Sequence, residues 1–157
     1  MKNKFSNKDI IFMKEAIKEA KKAFKKEEVP VGAVVVYKNK IIGRGHNLRE
    51  IKNDPTAHAE LTAIKKATKH IGDWRLNECT IYSTLEPCIM CTGVLVLSRI
   101  KKLIYGADDT KGIAYSSLKK ILASKNINHK IIVKKGLEEK YCKELLINFF
   151  KKARTQR

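Results

Sequence analysis

The chain has 157 residues, of which 43% are hydrophobic and 32% are charged, and this composition is typical of a soluble globular protein with one domain spanning residues 1–157. No apolar run approaches the roughly 20 residues that a membrane-spanning helix needs. The first residues, MKNKFSNKDI, lack the apolar region of a signal peptide, so we expect a cytoplasmic protein with no membrane partner.

The chain is strongly basic, because 34 Lys and Arg residues against 16 Asp and Glu residues give a formal net charge of +18. Such a surface attracts phosphates and favours a nucleic-acid partner. A general over-use of lysine would produce the same excess. Charge alone leaves both interpretations open.

The first predicted element is a helix over residues 6–27. Ser6 and Asp9 have the spacing of a capping box, which marks a helix start. Apolar residues then recur at helical spacing, at Met13, Ile17, Ala20 and Phe24.

A β-hairpin and a second helix are predicted next. The β-branched run VGAVVVY (31–37) indicates a buried strand, and IIGRGHN (41–47) returns after a short turn. A loop, LREIKNDP, leads to Pro55, and TAHAELTAIKKATKH (56–70) predicts a helix. We expect one side of this helix to consist of Ala57, Leu61, Ile64 and Thr68.

The second half of the chain alternates strands and helices. The predicted strands are 79–84, 101–107 and 130–135, and the predicted helices are one with Pro87 in its first turn, one near 116–124 and one over 137–153. A hairpin followed by this alternation implies a three-layer α/β domain. Five strands would form one mixed sheet with helices on both faces.

Four cysteines fall into two groups. Cys79 in a predicted strand and Cys142 in a predicted helix are expected to be core thiols. Cys88 and Cys91 lie three residues apart in TLEPCIMC. By itself this motif fits a redox pair, half of a structural zinc site or part of a catalytic metal site.

The segment DPTAHAE adds His58 and Glu60 near a helix start. Two thiolates from Cys88 and Cys91 and one imidazole would leave the fourth position of a tetrahedral zinc open, as in catalytic sites. Glu60 could then move protons beside a metal-bound water. Taken singly, His58 could be an ordinary hydrogen-bonded histidine, and Glu60 could be a solvated helix residue. The combination of HAE with PCIMC is a far more specific signal of a catalytic metal site.

The pattern H-x-E…P-C-x-x-C is the signature of zinc-dependent nucleobase deaminases. Over nearly its whole length the chain resembles the bacterial tRNA-specific adenosine deaminases, which implies a cytidine deaminase-like fold with three α/β/α layers around a mixed five-stranded sheet. The resemblance rests on VPVGAVVV, GRGHN, DPTAHAE, TLEPCIMC, SRIKKLIYGADD, Asn128-His129 and NFF at 148–150. The sequence departs from the family at GIAYSS (112–117), where a more Gly/Ala-rich segment is usual.

The resemblance implies one zinc ion per chain, bound by His58, Cys88 and Cys91. The zinc-bound water, as hydroxide, would attack C6 of adenine while Glu60 shuttles protons, converting adenosine to inosine and releasing ammonia. Asn47, in the GRGHN segment, would contact the flipped-out base; without the family it would be interpreted as a turn residue at a strand end.

The implied substrate is adenosine at the wobble position, position 34, of a tRNA anticodon stem-loop. The family also implies a homodimer with the tRNA site shared across its interface. Further RNA contacts carried over from the family are Asp109, Lys111, Phe149, Phe150 and Lys151. For Phe149 and Phe150 the alternative is packing of an amphipathic helix against the core.

Three other functions stay open at this point. The same zinc site would serve a deaminase of free bases or nucleosides, of the guanine or cytosine type. A zinc-stabilised RNA-binding module would lack activity, against which Glu60 argues. A thiol redox protein would use Cys88 and Cys91 without zinc.

Overall fold

The structure, a computed structural model, describes residues 4–112, 114 and 117–156. Three residues of the segment where the sequence departs from its family, 113, 115 and 116, thus lie outside the described part. The strands are β1 (Gly32–Tyr37), β2 (Lys40–His46), β3 (Thr80–Leu85), β4 (Lys102–Ala107) and β5 (Ile132–Lys135). The helices are α1 (Asn7–Lys25), α2 (Ala59–Ile71), α3 (Ile89–Leu97), α4 (Ser117–Leu122) and α5 (Glu139–Thr155).

The strands form one sheet in the order β2-β1-β3-β4-β5. β1 runs antiparallel to both β2 and β3, whereas β4 runs parallel to both β3 and β5. One core cluster contains buried residues of α2, α3 and α4, and a second cluster contains buried residues of α1 and α5. The predicted three-layer fold with a mixed five-stranded sheet is confirmed.

Helix α1 begins at the predicted capping box. The Ser6 Oγ accepts the backbone N–H of Asp9 at 3.1 Å, and the Asp9 carboxylate accepts the backbone N–H of Ser6 at 2.8 Å. Of the predicted apolar series, Met13, Ile17 and Ala20 are buried in the sheet-facing core.

The buried side of α2 agrees only in part with the prediction, in which Ala57 and Ile64 are indeed buried. Ala59, Ala63 and Ala67 are fully buried, while Leu61 and Thr68 are only partly buried. The reason lies in β2, because a Cβ atom on Gly45 would stand 2.2 Å from the carbonyl oxygen of Ala59. Glycine in the strand lets the helix backbone approach closely, and only small side chains fit between them.

The predicted position of Pro87 within a helix is wrong by two residues. Helix α3 begins at Ile89, and Cys88 is its N-cap. Pro87 therefore precedes the cap and stiffens the entry into the helix instead of occupying its first turn.

A search of the described residues for a membrane-spanning helix finds none with the required length and hydrophobicity.

We predict that Gly45→Ala destabilises the fold by about 1–3 kcal/mol, since the added methyl group would force α2 away from the sheet. The free energy of unfolding from urea titration measures the effect. Gly93→Ala in α3 is the matched control, because nothing lies within 4 Å of its added Cβ. The control should be neutral or stabilising by up to about 1 kcal/mol; equal changes in both variants would contradict the packing explanation.

Candidate active site

A cavity of about 220 Å³ opens where the N-terminal ends of α2 and α3 meet the end of β3. Its wall combines apolar side chains with a few polar groups, as is usual for small-molecule sites. The lining residues are Val29, Val31, Asn47, Arg49, His58, Ala59, Glu60, Leu85, Glu86, Cys88, Asp109 and Gly112.

Two helix starts bring three potential metal ligands together. His58 is the N-cap of α2, Cys88 is the N-cap of α3, and Cys91 lies in the first turn of α3. The His58 Nδ1 atom is 3.5 Å from the Cys88 Sγ and 3.7 Å from the Cys91 Sγ. One ligand atom from each residue lies within 4.8 Å of the other two, so the trio could hold a metal ion.

The dimensions of this trio suit zinc. A tetrahedral zinc ion with bonds of about 2.3 Å to sulfur and about 2.0 Å to nitrogen would separate the two ligand atoms by about 3.6 Å. The observed nitrogen–sulfur distances, 3.5 and 3.7 Å, match that separation. A soft donor set of two sulfurs and one imidazole also favours zinc over magnesium or calcium.

The electrostatics of the trio favour a thiolate. Hydrogen bonds from the Cys91 thiol and from His58 lower the pKa of Cys88 to about 4. The same bond to Cys88, together with burial, raises the pKa of Cys91. The hydrogen bond to Cys88 raises the pKa of His58. A cation placed among these atoms would therefore meet an anionic sulfur at neutral pH.

Glu60 lies beside the trio in the first turn of α2. The residue is only 4% exposed, and burial raises the pKa of its carboxyl group. Its Oε2 atom is 3.7 Å from the Cys91 Sγ, and its Oε1 atom is 3.3 Å from the Oγ of the buried Ser83. A carboxyl group whose pKa is shifted upward in a cavity is suited to accept and return protons.

Asn47 lines the cavity and also shapes the chain beside it. Its Nδ2 donates to the carbonyl oxygen of Val29 at 3.3 Å, and its Oδ1 accepts the backbone N–H of Arg49 at 3.1 Å. One amide hydrogen and one lone pair are left over, so a turn role and a ligand contact are compatible.

The residues proposed for RNA contact fall into two places. Asp109 lines the cavity, where its backbone N–H donates to the Glu86 carboxylate at 3.0 Å, and Lys111 is exposed on the same loop. Phe149 and Lys151 lie on α5 and do not line the cavity. Phe149 is half-buried and packs edge-on against Phe24 with ring centroids 5.9 Å apart; Phe150 is 48% exposed.

The other two cysteines are buried free thiols in the two core clusters. Burial raises the pKa of Cys79 to about 11 and the pKa of Cys142 to about 12. Neither thiol is poised to act as a thiolate, in agreement with their expected core role.

Sequence reasoning missed three polar residues around the cavity: Ser83, Glu86 and Arg49. Ser83 could have been noticed as a polar residue in the middle of a predicted strand, β3, where its side chain is fully buried. The signal for Glu86 and Arg49 is absent from the sequence, because their importance depends on contacts and cavity walls formed by distant segments.

Comparison with known proteins places nearly the whole chain in one family. The MafB19-like deaminase family matches residues 6–154. The tRNA-specific adenosine deaminase of Bacillus subtilis is 48% identical over 149 residues, which is 95% of this chain and 92% of the relative.

Solved structures agree with this placement. A structure from a study of A-to-I editing by tRNA:A34 deaminases superposes with a TM-score of 0.82 at 40% identity, covering 87% of this chain and 99% of that one. A guanine deaminase from Bacillus subtilis also superposes, with a TM-score of 0.64 at 34% identity, covering 82% of this chain and 83% of that one. The chain belongs to the MafB19-like deaminase family and, within it, is a homologue of the tRNA-specific adenosine deaminases.

Proposed function

We propose that this chain is a zinc-dependent hydrolytic deaminase that converts adenosine at the wobble position, position 34, of a tRNA anticodon loop to inosine. The observation that carries the proposal is the placement of the buried Glu60 carboxyl group beside the trio of His58, Cys88 and Cys91 in one cavity. The 48% identity to a tRNA-specific adenosine deaminase supports the choice of substrate.

His58, Cys88 and Cys91 would hold one zinc ion per chain. When bound, zinc lowers the pKa of a water ligand and so supplies a strong nucleophile at neutral pH. The cavity excludes bulk water from the buried Glu60 and Cys91 side chains, which strengthens the electrostatic interactions between these groups and a bound base.

Glu60 moves the protons of the reaction. Its carboxylate takes a proton from the attacking water, and its protonated form gives that proton to N1 of adenine while the new bond forms at C6. It then takes the second proton of water from the new hydroxyl group at C6 and gives it to the exocyclic amino group. The C–N bond breaks, ammonia leaves and the C6 carbonyl group forms, so that water and adenosine become inosine and ammonia. Burial favours the protonated form of Glu60, and the Ser83 hydroxyl helps to orient the carboxyl group.

The RNA substrate would be held around this cavity. Asn47 would contact the extruded base, Asp109 and Lys111 would lie at the cavity edge, and Phe149 and Lys151 would meet more distant parts of the anticodon stem-loop. A base in a loop is already unpaired, so its extrusion costs less than opening a duplex. The net charge of +18 favours association with the phosphate backbone.

We further propose that the chain is one deaminase domain over residues 1–157 that works as a cytoplasmic homodimer without a membrane partner. Apolar side chains next to the cavity support a subunit contact there: Ile51 is 58% exposed and Ile89 is 54% exposed. Ile51 is close in sequence to Arg49, and Ile89 follows Cys88, so a partner subunit covering them would lie beside the RNA.

The proposed function is tested by incubating zinc-loaded protein with an anticodon stem-loop that carries wobble adenosine and measuring inosine by mass spectrometry of nucleosides. We expect one inosine to form for each wobble adenosine in the RNA. Free guanine, cytosine and adenosine are tested in parallel. Turnover of a free base or nucleoside with no inosine in any adenosine-34 RNA would instead favour the alternative, a free-base or nucleoside deaminase.

Replacement of the proton-transfer group should separate chemistry from binding. We expect Glu60→Gln to lower kcat by roughly 10²- to 10⁴-fold, because an amide of the same shape cannot accept and return the proton. Zinc content and the Kd for the stem-loop should stay close to those of the unchanged protein. A Glu60→Gln variant with full activity would show that the proton passes through another group.

Loss of one sulfur ligand should remove the metal and the activity together. We expect Cys88→Ser to weaken zinc retention at least about 100-fold, measured by competition with a chelator, and to lower inosine formation in proportion. Cys142→Ala is the matched control, since this thiol is buried in the other core cluster. Retention of one zinc per chain by Cys88→Ser would rule out the proposed ligand set.

A further inference from the structure

Glu28, between α1 and β1, is a glutamate whose side chain is buried inside the protein. It is 1% exposed, and its Oε1 accepts the backbone N–H of Ile51 at 2.7 Å. Its other oxygen, Oε2, is buried without a hydrogen-bond partner in the described part of the chain. Burying a half-satisfied carboxyl group costs free energy, so its presence calls for a role other than stability.

The partner of Glu28 belongs to a segment that forms part of the cavity wall. Residues 48–54, here called the wall loop, connect β2 to the approach of α2, and Arg49 on this loop lines the cavity. The loop is closed on itself by backbone bonds, among them the bond from the Asp54 N–H to the Arg49 carbonyl oxygen at 3.1 Å. A hold on Ile51 therefore positions the loop as a unit.

The bond from Glu28 joins the wall loop to a second part of the same wall. Val29 and Val31, which follow Glu28, line the cavity. Asn47 adds a parallel link, because it bonds to the Val29 carbonyl oxygen and to the Arg49 N–H. Glu28 thus fixes the middle of the loop, while Asn47 fixes its beginning.

We propose that Glu28 is a positioning residue for the deamination reaction: its carboxyl group holds the wall loop, and with it Arg49, in the arrangement that receives the RNA. The inference rests on the proposed function. Another segment of the cavity wall is held in the same way, since the Glu86 carboxylate accepts the Asp109 backbone N–H at 3.0 Å. Two largely buried glutamates therefore each hold one segment of the cavity wall through a main-chain amide.

A positioning role and a purely structural role predict different behaviour. If Glu28 served stability alone, its removal would lower the melting temperature and reduce activity to the same extent in every assay. If Glu28 positions the wall loop, its replacement leaves the fold intact, because an apolar side chain of the same length removes the free-energy cost of burying a carboxyl group. The loop then lacks the hydrogen bond that fixes Ile51. RNA binding becomes weaker, while the rate of proton transfer at Glu60 stays unchanged.

The test compares Glu28→Met, which has no acceptor, with Glu28→Gln, which keeps one. For Glu28→Met we expect KM for the anticodon stem-loop to rise about threefold to tenfold, as for one lost hydrogen bond, with kcat within about twofold of the unchanged protein. Hydrogen exchange at the Ile51 amide should accelerate, and Tm should not fall. Glu28→Gln should restore both KM and slow exchange.

Glu78→Gln is the matched control, because Glu78 is an exposed glutamate that pairs with Lys101; it should change none of these quantities. An unaltered KM and unaltered Ile51 exchange in Glu28→Met would overturn the proposal. A Glu28→Met protein that is unfolded, or that loses kcat and Tm together, would also overturn it, since the role would then be structural.

The failure of this inference can be told apart from failure of the proposed function. If the unchanged protein forms no inosine in any adenosine-34 RNA, the function is wrong. The Ile51 exchange rates of the unchanged protein, Glu28→Met and Glu28→Gln still decide whether Glu28 holds the loop. Identical exchange in all three would reject that hold without reference to activity.

Discussion

The close packing of α2 on β2 is the constraint on which the rest of the site depends. Glycine at position 45 leaves no side chain between strand and helix, and the alanines of α2 complete the fit. The helix axis is thereby fixed against the sheet. Since His58 caps this helix and Glu60 lies in its first turn, their places relative to the cysteines of α3 follow from backbone contact rather than from flexible side chains.

Two opposing electrostatic demands meet in the cavity. Proton transfer requires a carboxyl group whose pKa is raised, and metal binding requires sulfur in the thiolate form. Burial provides the first at Glu60, while hydrogen bonds and a helix N-terminus provide the second at Cys88. A site that combines metal ligands with a proton-transferring group needs these two environments within a few ångströms of each other.

The sequence predicted the centre of the site and, in Asn47 and Asp109, only part of its walls. His58, Glu60, Cys88 and Cys91 stand in two short motifs at helix starts, so their identity and spacing predicted both the trio and the neighbouring acid. The buried side of α2 was predicted only in part: Ile64 is buried, but glycine on a separate strand brings the helix so close to the sheet that alanines form most of the contact. Glu28 and Glu86 carry no local signal, because each acts on a main-chain amide more than twenty residues away.

This division suggests how chemistry and substrate choice can vary independently in such a fold. The centre depends on the residues of two short motifs, and a change there removes the reaction itself. The walls depend on long-range bonds to backbone N–H groups, which are indifferent to the side chain at the bonded position. Loops such as 48–54 can therefore change their outward-facing residues while a buried glutamate keeps their path. The guanine deaminase at 34% identity shares the architecture with a TM-score of 0.64, so one fold carries more than one deaminase activity.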